Sequence, residues 1–223
     1  MGILPHQFSK KIFYQFVKSS ELVMVYINIL SFIIYGNFKW LFLGISLIVS
    51  GFINYYLKNN IAYPLFKNNN HILPILGPGL RPEGAEDCGY YSNCPKLLAK
   101  SYGFPSGHSQ FAGFQCGFLI KDIMDRKTKD GKFSSLKFED KISVVMLFMS
   151  VIIMMYSRVF IEGCHTIQQA IFGAIIGLFL GYYAYNLYIY FESKILFRYP
   201  NFFNKWMPYI KLLFTFIIVY SGF

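Results

Sequence analysis

Residues 170–190, the apolar part of a segment at 166–190, read AIFGAIIGLFLGYYAYNLYIY. The run carries no charge and is long enough to cross a bilayer as a helix, which takes about 20 apolar residues. Gly173, Gly177 and Gly181 recur at the GxxxG spacing that lets a neighbouring helix approach backbone to backbone. Five further segments have similar character, at 20–36, 39–57, 106–124, 141–157 and 205–222. Segment 106–124 has only a short apolar part, FAGFQCGFLI, and leans on the turn before it. The expected fold is all-α: a six-transmembrane-helix bundle forming one domain over 1–223, with the active-site loops on one membrane face.

Composition agrees. The chain has 223 residues, of which 55% are hydrophobic, 20% aromatic and only 14% charged. A soluble domain carries about 25% charged residues, so this chain lacks the polar surface to cover a soluble body. The same numbers exclude intrinsic disorder. Four cysteines in this length exclude a disulfide-stapled miniprotein. The net charge of +10 fits loops beside anionic headgroups, or an anionic substrate, better than nucleic acid in so apolar a chain. Lysine is abundant and arginine scarce, which makes each arginine informative; Arg81 and Arg158 both fall in the stretches treated below.

Six crossings sort the loops onto two faces. One holds the N-terminus, loop 58–105 and loop 157–165, with 9 Lys and Arg; the other holds 36–39, 121–141 and 191–205, with 11. Long loops weigh little in the positive-inside rule, so the second face is the expected cytoplasmic one and the first the lumenal or extracytoplasmic one. Residues 1–19 are expected as an amphipathic lead-in at the interface and carry no small-residue cleavage site.

The chemistry-bearing residues gather on that first face. They are Leu80-Arg81-Pro82-Glu83-Gly84, then Gly103-Phe104-Pro105-Ser106-Gly107-His108-Ser109, then Tyr156-Ser157-Arg158 followed by Cys164-His165-Thr166-Ile167-Gln168-Gln169. Two arginines offer planar donor forks suited to phosphate oxygens. Pro105-Ser106-Gly107 precedes a helix whose free N–H groups and partial positive charge suit an anion, and Gly107 admits close backbone approach. His108 sits beside that turn and His165 opens the next glycine-rich helix. Two histidines beside a phosphate can divide the work, one attacking phosphorus and the other protonating the leaving oxygen. Gln169 lies one turn after His165, where its carbonyl can take one ring N–H and hold the other nitrogen ready.

In this order and spacing the stretches resemble the signature motifs of the type-2 phosphatidic acid phosphatase and vanadium haloperoxidase superfamily, membrane branch. Those motifs are K-x6-R-P, P-S-G-H and S-R-x5-H-x3-D. The resemblance covers roughly 74–169 by motif and the whole chain by helix count. It implies a phosphatase that needs no metal or organic cofactor. His165 would form a phosphohistidine and His108 would be the general acid. Arg81, Ser106, Gly107 and Arg158 would hold the phosphoryl oxygens.

Three positions depart from the pattern. Pro74 stands where the family has lysine, a charge that Lys67 or a lysine of 96–100 is expected to supply. Six residues instead of five separate Arg158 from His165, an insertion expected in a loop. Gln169 replaces the aspartate, as in the dolichyl-diphosphate phosphatase and glucose-6-phosphatase branches. The substrate this implies is a lipid phosphate or an isoprenoid or dolichyl diphosphate, with membrane lipids as neighbours and no nucleic-acid partner; the oligomeric state is left open. The competing class is a catalytically impaired membrane lipid-phosphate-binding protein of the same fold. A transporter would need ionisable residues inside the spans, which carry almost none. Cys88 and Cys94 either pair with each other in an oxidising lumen or remain thiols, and Cys116 is expected to pack. Glu83, Glu86 and Asp87 read as a solvated loop, and Glu162 as a salt-bridge partner without a catalytic role.

Overall fold

The computed structural model describes residues 18–67, 75–85, 102–127, 132–196 and 200–220. Six long helices carry the described chain, and no strand occurs among the described residues. They are α1 (Ser20–Tyr35), α2 (Phe38–Tyr56), α3 (Gly107–Lys127), α4 (Phe138–Tyr156), α5 (Ile167–Phe191) and α6 (Pro200–Tyr220). Three of them run on without a break into π-helical turns. α2 continues through Leu57–Ala62 and a closing α turn at Tyr63–Lys67, α4 through Ser157–Ile161, and α5 through Glu192–Leu196. The expected lead-in at 1–19 lies, up to residue 17, outside the described residues.

Local chemistry sets the boundaries. Gly36 ends α1 at φ 66°, a left-handed conformation that glycine adopts without strain, and its N–H closes on Phe32 O at 2.8 Å. Asn37 then caps α2 by accepting from Lys39 N at 2.9 Å. Two residues thus turn the chain back on itself. α5 starts on a capping box: Thr166 accepts from Gln169 N, and the Gln169 side chain accepts from Thr166 N.

The centre of the bundle is the crossing of α3 and α5, and small residues make it. A Cβ on Gly177 would lie 2.1 Å from Gln110 O, and one on Gly181 2.0 Å from Phe114 O. From the other side, a Cβ on Gly113 would lie 2.3 Å from Ala174 O, and one on Gly117 2.3 Å from Leu178 O. The glycines of 173–181 therefore do what their spacing implied, and α3 answers with glycines of its own. Around this seam pack Phe111, Phe114, Phe118, Leu43, Leu47, Tyr185 and Tyr188. At the end of the bundle remote from His108, Lys39 Nζ pairs with Asp122 Oδ2 at 2.8 Å, tying the start of α2 to α3.

The protein is an integral membrane protein by its helices, but the expectation of six crossings holds in helix number only. Phe38–Phe66, Phe138–Ile161 and Ile167–Lys194 are long and apolar enough to span, and Ser20–Tyr35 is a shorter apolar helix. α3 is not of that composition for a physical reason. It is enclosed by protein, so His108, Ser109, Gln110 and Asp122 are buried against other helices rather than lipid. The outward faces are the opposite case: Phe52, Met146, Ile152, Ile153 and Phe179 are all exposed, a surface made for acyl chains.

The seam yields a stability prediction. Gly177→Ala forces a methyl group onto a backbone carbonyl and is expected to lower the melting temperature of the detergent-solubilised protein, at a cost of about 1–3 kcal/mol. Ile175→Ala, on the exposed side of the same helix, is expected to stay within about 0.5 kcal/mol of the parent.

Candidate active site

The odd-numbered helices begin, and α2 and α4 end, at one end of the bundle, and every motif residue placed in the described chain lies there. The turn before α3 is held from three sides. Gly103 N and Phe104 N donate to Gly79 O at 2.9 and 3.2 Å, and Ser106 N donates to Gln169 O at 3.0 Å. From α2, Asn54 Nδ2 donates to Gln110 Oε1 at 2.8 Å and to Pro105 O at 3.4 Å. Gln110 Nε2 donates in turn to Ser50 O and Oγ at 2.9 and 3.0 Å. Ser106 is fully buried, and Ser109 Oγ donates to its hydroxyl at 3.1 Å. Ser109 belongs to this framework, as do Ser50, Asn54 and Gln110, three residues to which the sequence motifs assign no role. Their signal was polarity at helical spacing within otherwise apolar helices.

Gln169 organises His165. Its Nε2 donates to Pro78 O and to Leu80 O, both at 2.7 Å, which fixes the orientation of the amide. Oε1 therefore faces Thr166 N at 3.2 Å and His165 Nδ1 at 3.2 Å. An acceptor at Nδ1 makes Nδ1 the protonated nitrogen, so the lone pair sits on Nε2. Gly103 lies so close that a Cβ there would come within 2.3 Å of Gln169 Oε1. The same side chain thus orients the histidine and clasps the loop that leads to Arg81.

Among the described residues, three cations act on His165. Arg81 Nη1 donates to Cys164 O at 3.2 Å. Arg158 is buried at 1% exposure, and its backbone carbonyl accepts from Cys164 N and His165 N at 3.0 and 3.3 Å. Lys58, in the π-helical extension of α2, is the third. Burial first, then the charges of Arg81, Lys58 and Arg158, push the His165 imidazole well below its ordinary 6.5, against the opposing effect of the Gln169 hydrogen bond. The ring is neutral at neutral pH.

Between Arg158 and His165 the chain runs through the π turn Ser157–Ile161, where Glu162 N reaches back five residues to Ser157 O at 2.9 Å, and then through a short non-helical stretch over 162–166. Arg158 stands beside the histidine, whose backbone N–H its carbonyl accepts. Glu162 accepts from Arg158 Nη1 at 2.6 Å and from Ser157 Oγ at 3.3 Å, the salt-bridge role expected of it. The lysines of 96–100 lie outside the described residues, and Lys67 closes the turn after α2. Among the described residues, the lysine whose charge acts on His165 is Lys58, four residues beyond Asn54. Cys88, Cys94, Glu86 and Asp87 are also outside the described residues, while Glu83 is exposed. Cys164 is disulfide-bonded, and Cys116 is a buried free thiol.

His108 stands in the first turn of α3 and is 7% exposed. Its Nδ1 lies 2.8 Å from Glu21 Oε1, at the start of α1, and its Nε2 lies 3.1 Å from Lys18 O. Gly107 is adjacent: a Cβ there would come within 3.1 Å of Glu21 Oε1 and 3.3 Å of Asn54 Oδ1. Glu21 also heads an apolar cavity of about 840 Å³ between α1, α2 and α6, with Val25, Ile29, Phe52, Phe111 and Phe214 among its walls.

The PAP2 superfamily profile matches residues 39–193. The chain belongs to that superfamily. One curated relative, Dolichyldiphosphatase 1 of Dictyostelium discoideum, is 33% identical over 102 residues, covering 46% of this chain and 42% of the relative. The match therefore spans less than half the relative's length. No solved structure matches the chain.

Within this PAP2 chain, glutamine at 169 has a physical reason that aspartate would not satisfy. Its amide N–H₂ serves two part-buried carbonyls, Pro78 O and Leu80 O, which a carboxylate would face with lone pairs. Gln169→Glu and Gln169→Asp are both expected to destabilise the protein, each carbonyl left without a donor costing about 1–3 kcal/mol. Thermal unfolding of the two variants beside the parent checks this. Equal stability of Gln169→Glu and the parent would contradict it.

Proposed function

We propose that the protein hydrolyses a lipid phosphate, or an isoprenoid or dolichyl diphosphate, by a metal-independent route through a phosphohistidine on His165. The observation that carries the reading is the Gln169 amide, oriented by Pro78 O and Leu80 O, which accepts a hydrogen bond from His165 Nδ1–H and leaves the lone pair on Nε2. In this scheme Arg81, Arg158 and Lys58, with Ser106 and the backbone at Gly107, hold the phosphoryl oxygens and spread their charge. Nε2 of His165 forms a bond to phosphorus as the phosphorus–oxygen bond to the leaving group breaks. The departing oxygen takes a proton from His108. Water then attacks phosphorus and gives a proton back to His108, the nitrogen–phosphorus bond breaks, and inorganic phosphate leaves. Charge that a metal would otherwise bring is supplied by the cations and the turn before α3.

A lipid is the substrate class favoured by the cavity between α1, α2 and α6, which is apolar, roomy and headed by the residues around His108. Among lipids a dolichyl or other isoprenyl diphosphate is the first choice, supported by Gln169 and by the relative named Dolichyldiphosphatase 1. Phosphatidic acid is the second and a soluble sugar phosphate the third. The site is read as facing a lumenal or extracytoplasmic compartment. The disulfide at Cys164, one residue before His165, favours an oxidising side, and the excess of lysine and arginine on the opposite loops agrees.

Phosphate release by the detergent-purified protein in EDTA is the test, on an isoprenyl diphosphate, phosphatidic acid and glucose 6-phosphate. Turnover is expected to persist in EDTA, to be highest on the diphosphate, and to fall at least about 10³-fold in His165→Ala. A folded parent with no turnover on any of them would favour the lipid-phosphate-binding alternative. The pH profile has a defined sign: His165 attacks only when neutral, and its environment favours the neutral form. The acid limb of kcat/KM is therefore expected below pH 6.5, and Arg81→Gln, which removes a positive charge, is expected to move that limb upward.

A further inference from the structure

Among the described residues His108 meets two acceptors and no donor: the Glu21 carboxylate at Nδ1, 2.8 Å away, and the Lys18 carbonyl at Nε2, 3.1 Å away. A neutral imidazole has one N–H and one lone pair, so it would meet one of these oxygens lone pair to lone pair. Only the ring with a proton on each nitrogen satisfies both. The two contacts differ in kind. The carboxylate is an ionic partner anchored at the start of α1, whereas the carbonyl is a neutral acceptor that a substrate oxygen can replace. Glu21 is 32% exposed at its side chain, and it lies at the head of the apolar cavity, where a lipid leaving group would meet the site. Among the described residues, the charges of Arg158 and Lys58, on the extensions of α4 and α2, reach Glu21.

We propose that Glu21 is a positioning residue for proton delivery: it binds Nδ1 of His108, keeps the ring charged, and aims Nε2–H at the oxygen of the departing lipid, which takes the place of the Lys18 carbonyl. This rests on the phosphatase reading above and extends it to a residue on α1, outside the matched region 39–193. The proton leaves with the lipid alcohol or lipid phosphate and returns from the water that hydrolyses the phosphohistidine. Glu21 stays ionised throughout and touches neither phosphorus nor the leaving oxygen. The arrangement parallels the one at His165, where Gln169 also takes Nδ1. A neutral amide serves the nitrogen that attacks, and a carboxylate serves the ring that must hold a proton.

The test uses two esters that differ in how much they need an acid. Decyl phosphate expels an alkoxide that has to be protonated as it leaves; 4-nitrophenyl phosphate expels a stable phenolate. In Glu21→Gln, kcat/KM, which reports only the steps up to departure of the leaving group, is expected to fall about 10- to 100-fold on decyl phosphate, within the range general acids supply. The nitrophenyl ester is expected to change by less than about threefold on the same ground. Glu21→Asp, which keeps the charge, is expected to recover part of the loss. The ratio of the two rates in one preparation does not depend on the folded fraction, so partial misfolding leaves the result readable. An equal loss on both esters, or no loss on either, overturns the role of Glu21 while leaving the phosphatase reading intact. A parent that turns over neither ester nor the diphosphate overturns the phosphatase reading, and this inference with it.

Discussion

The site depends on a contact between two backbones. α3 and α5 cross with glycine on both sides, and a methyl group at Gly113, Gly117, Gly173, Gly177 or Gly181 would lie within 2.0–2.4 Å of a carbonyl on the facing segment. At the top of the seam the partner of Gly173 is the turn itself: a Cβ there would meet Ser106 O at 2.4 Å. Ser106 N then bonds to Gln169 O. The helix that begins with His108 and the helix that follows His165 are therefore locked together within a turn of the residues that do chemistry. No larger residue at those positions would allow it, because interiors are packed too closely to absorb an added methyl without displacement.

Around this seam the site is a balance of charge inside low-polarity surroundings. Arg158 is almost wholly buried and is paired with Glu162, whose side chain is inaccessible as well. Burying such a pair is costly unless its geometry is good, and its persistence here fits a role in fixing position rather than adding stability. Arg81 and Lys58 complete a cationic ring on His165 and keep its imidazole neutral. At His108 the partner of Nδ1 is the Glu21 carboxylate, 2.8 Å away, where His165 has the Gln169 amide oxygen at 3.2 Å.

Much of this was legible before any coordinates. The helices fell where the apolar runs put them, because period and length are local properties of the chain. His165 and Gln169 read correctly as partners because four residues make one helical turn, a distance that spacing alone conveys. What could not be read was tertiary. Glu21 and Lys58 reach the histidines from helices far away in sequence, and a single glutamate or lysine near a helix end looks like a boundary residue. α3 was hard to read as a span for the same reason: a helix enclosed by protein is free of the apolar bias that lipid imposes.

The account stands most directly on the nitrogen that attacks. Rapid quench of the protein with labelled isoprenyl diphosphate, followed by mass spectrometry under alkaline conditions that preserve phosphohistidine, would locate any covalent phosphate. Phosphate on His165, absent from His165→Ala and accumulating in His108→Ala with a substrate whose leaving group needs no acid, is the predicted result. Phosphate on His108, or steady turnover with no covalent phosphoenzyme at any time point, would contradict it.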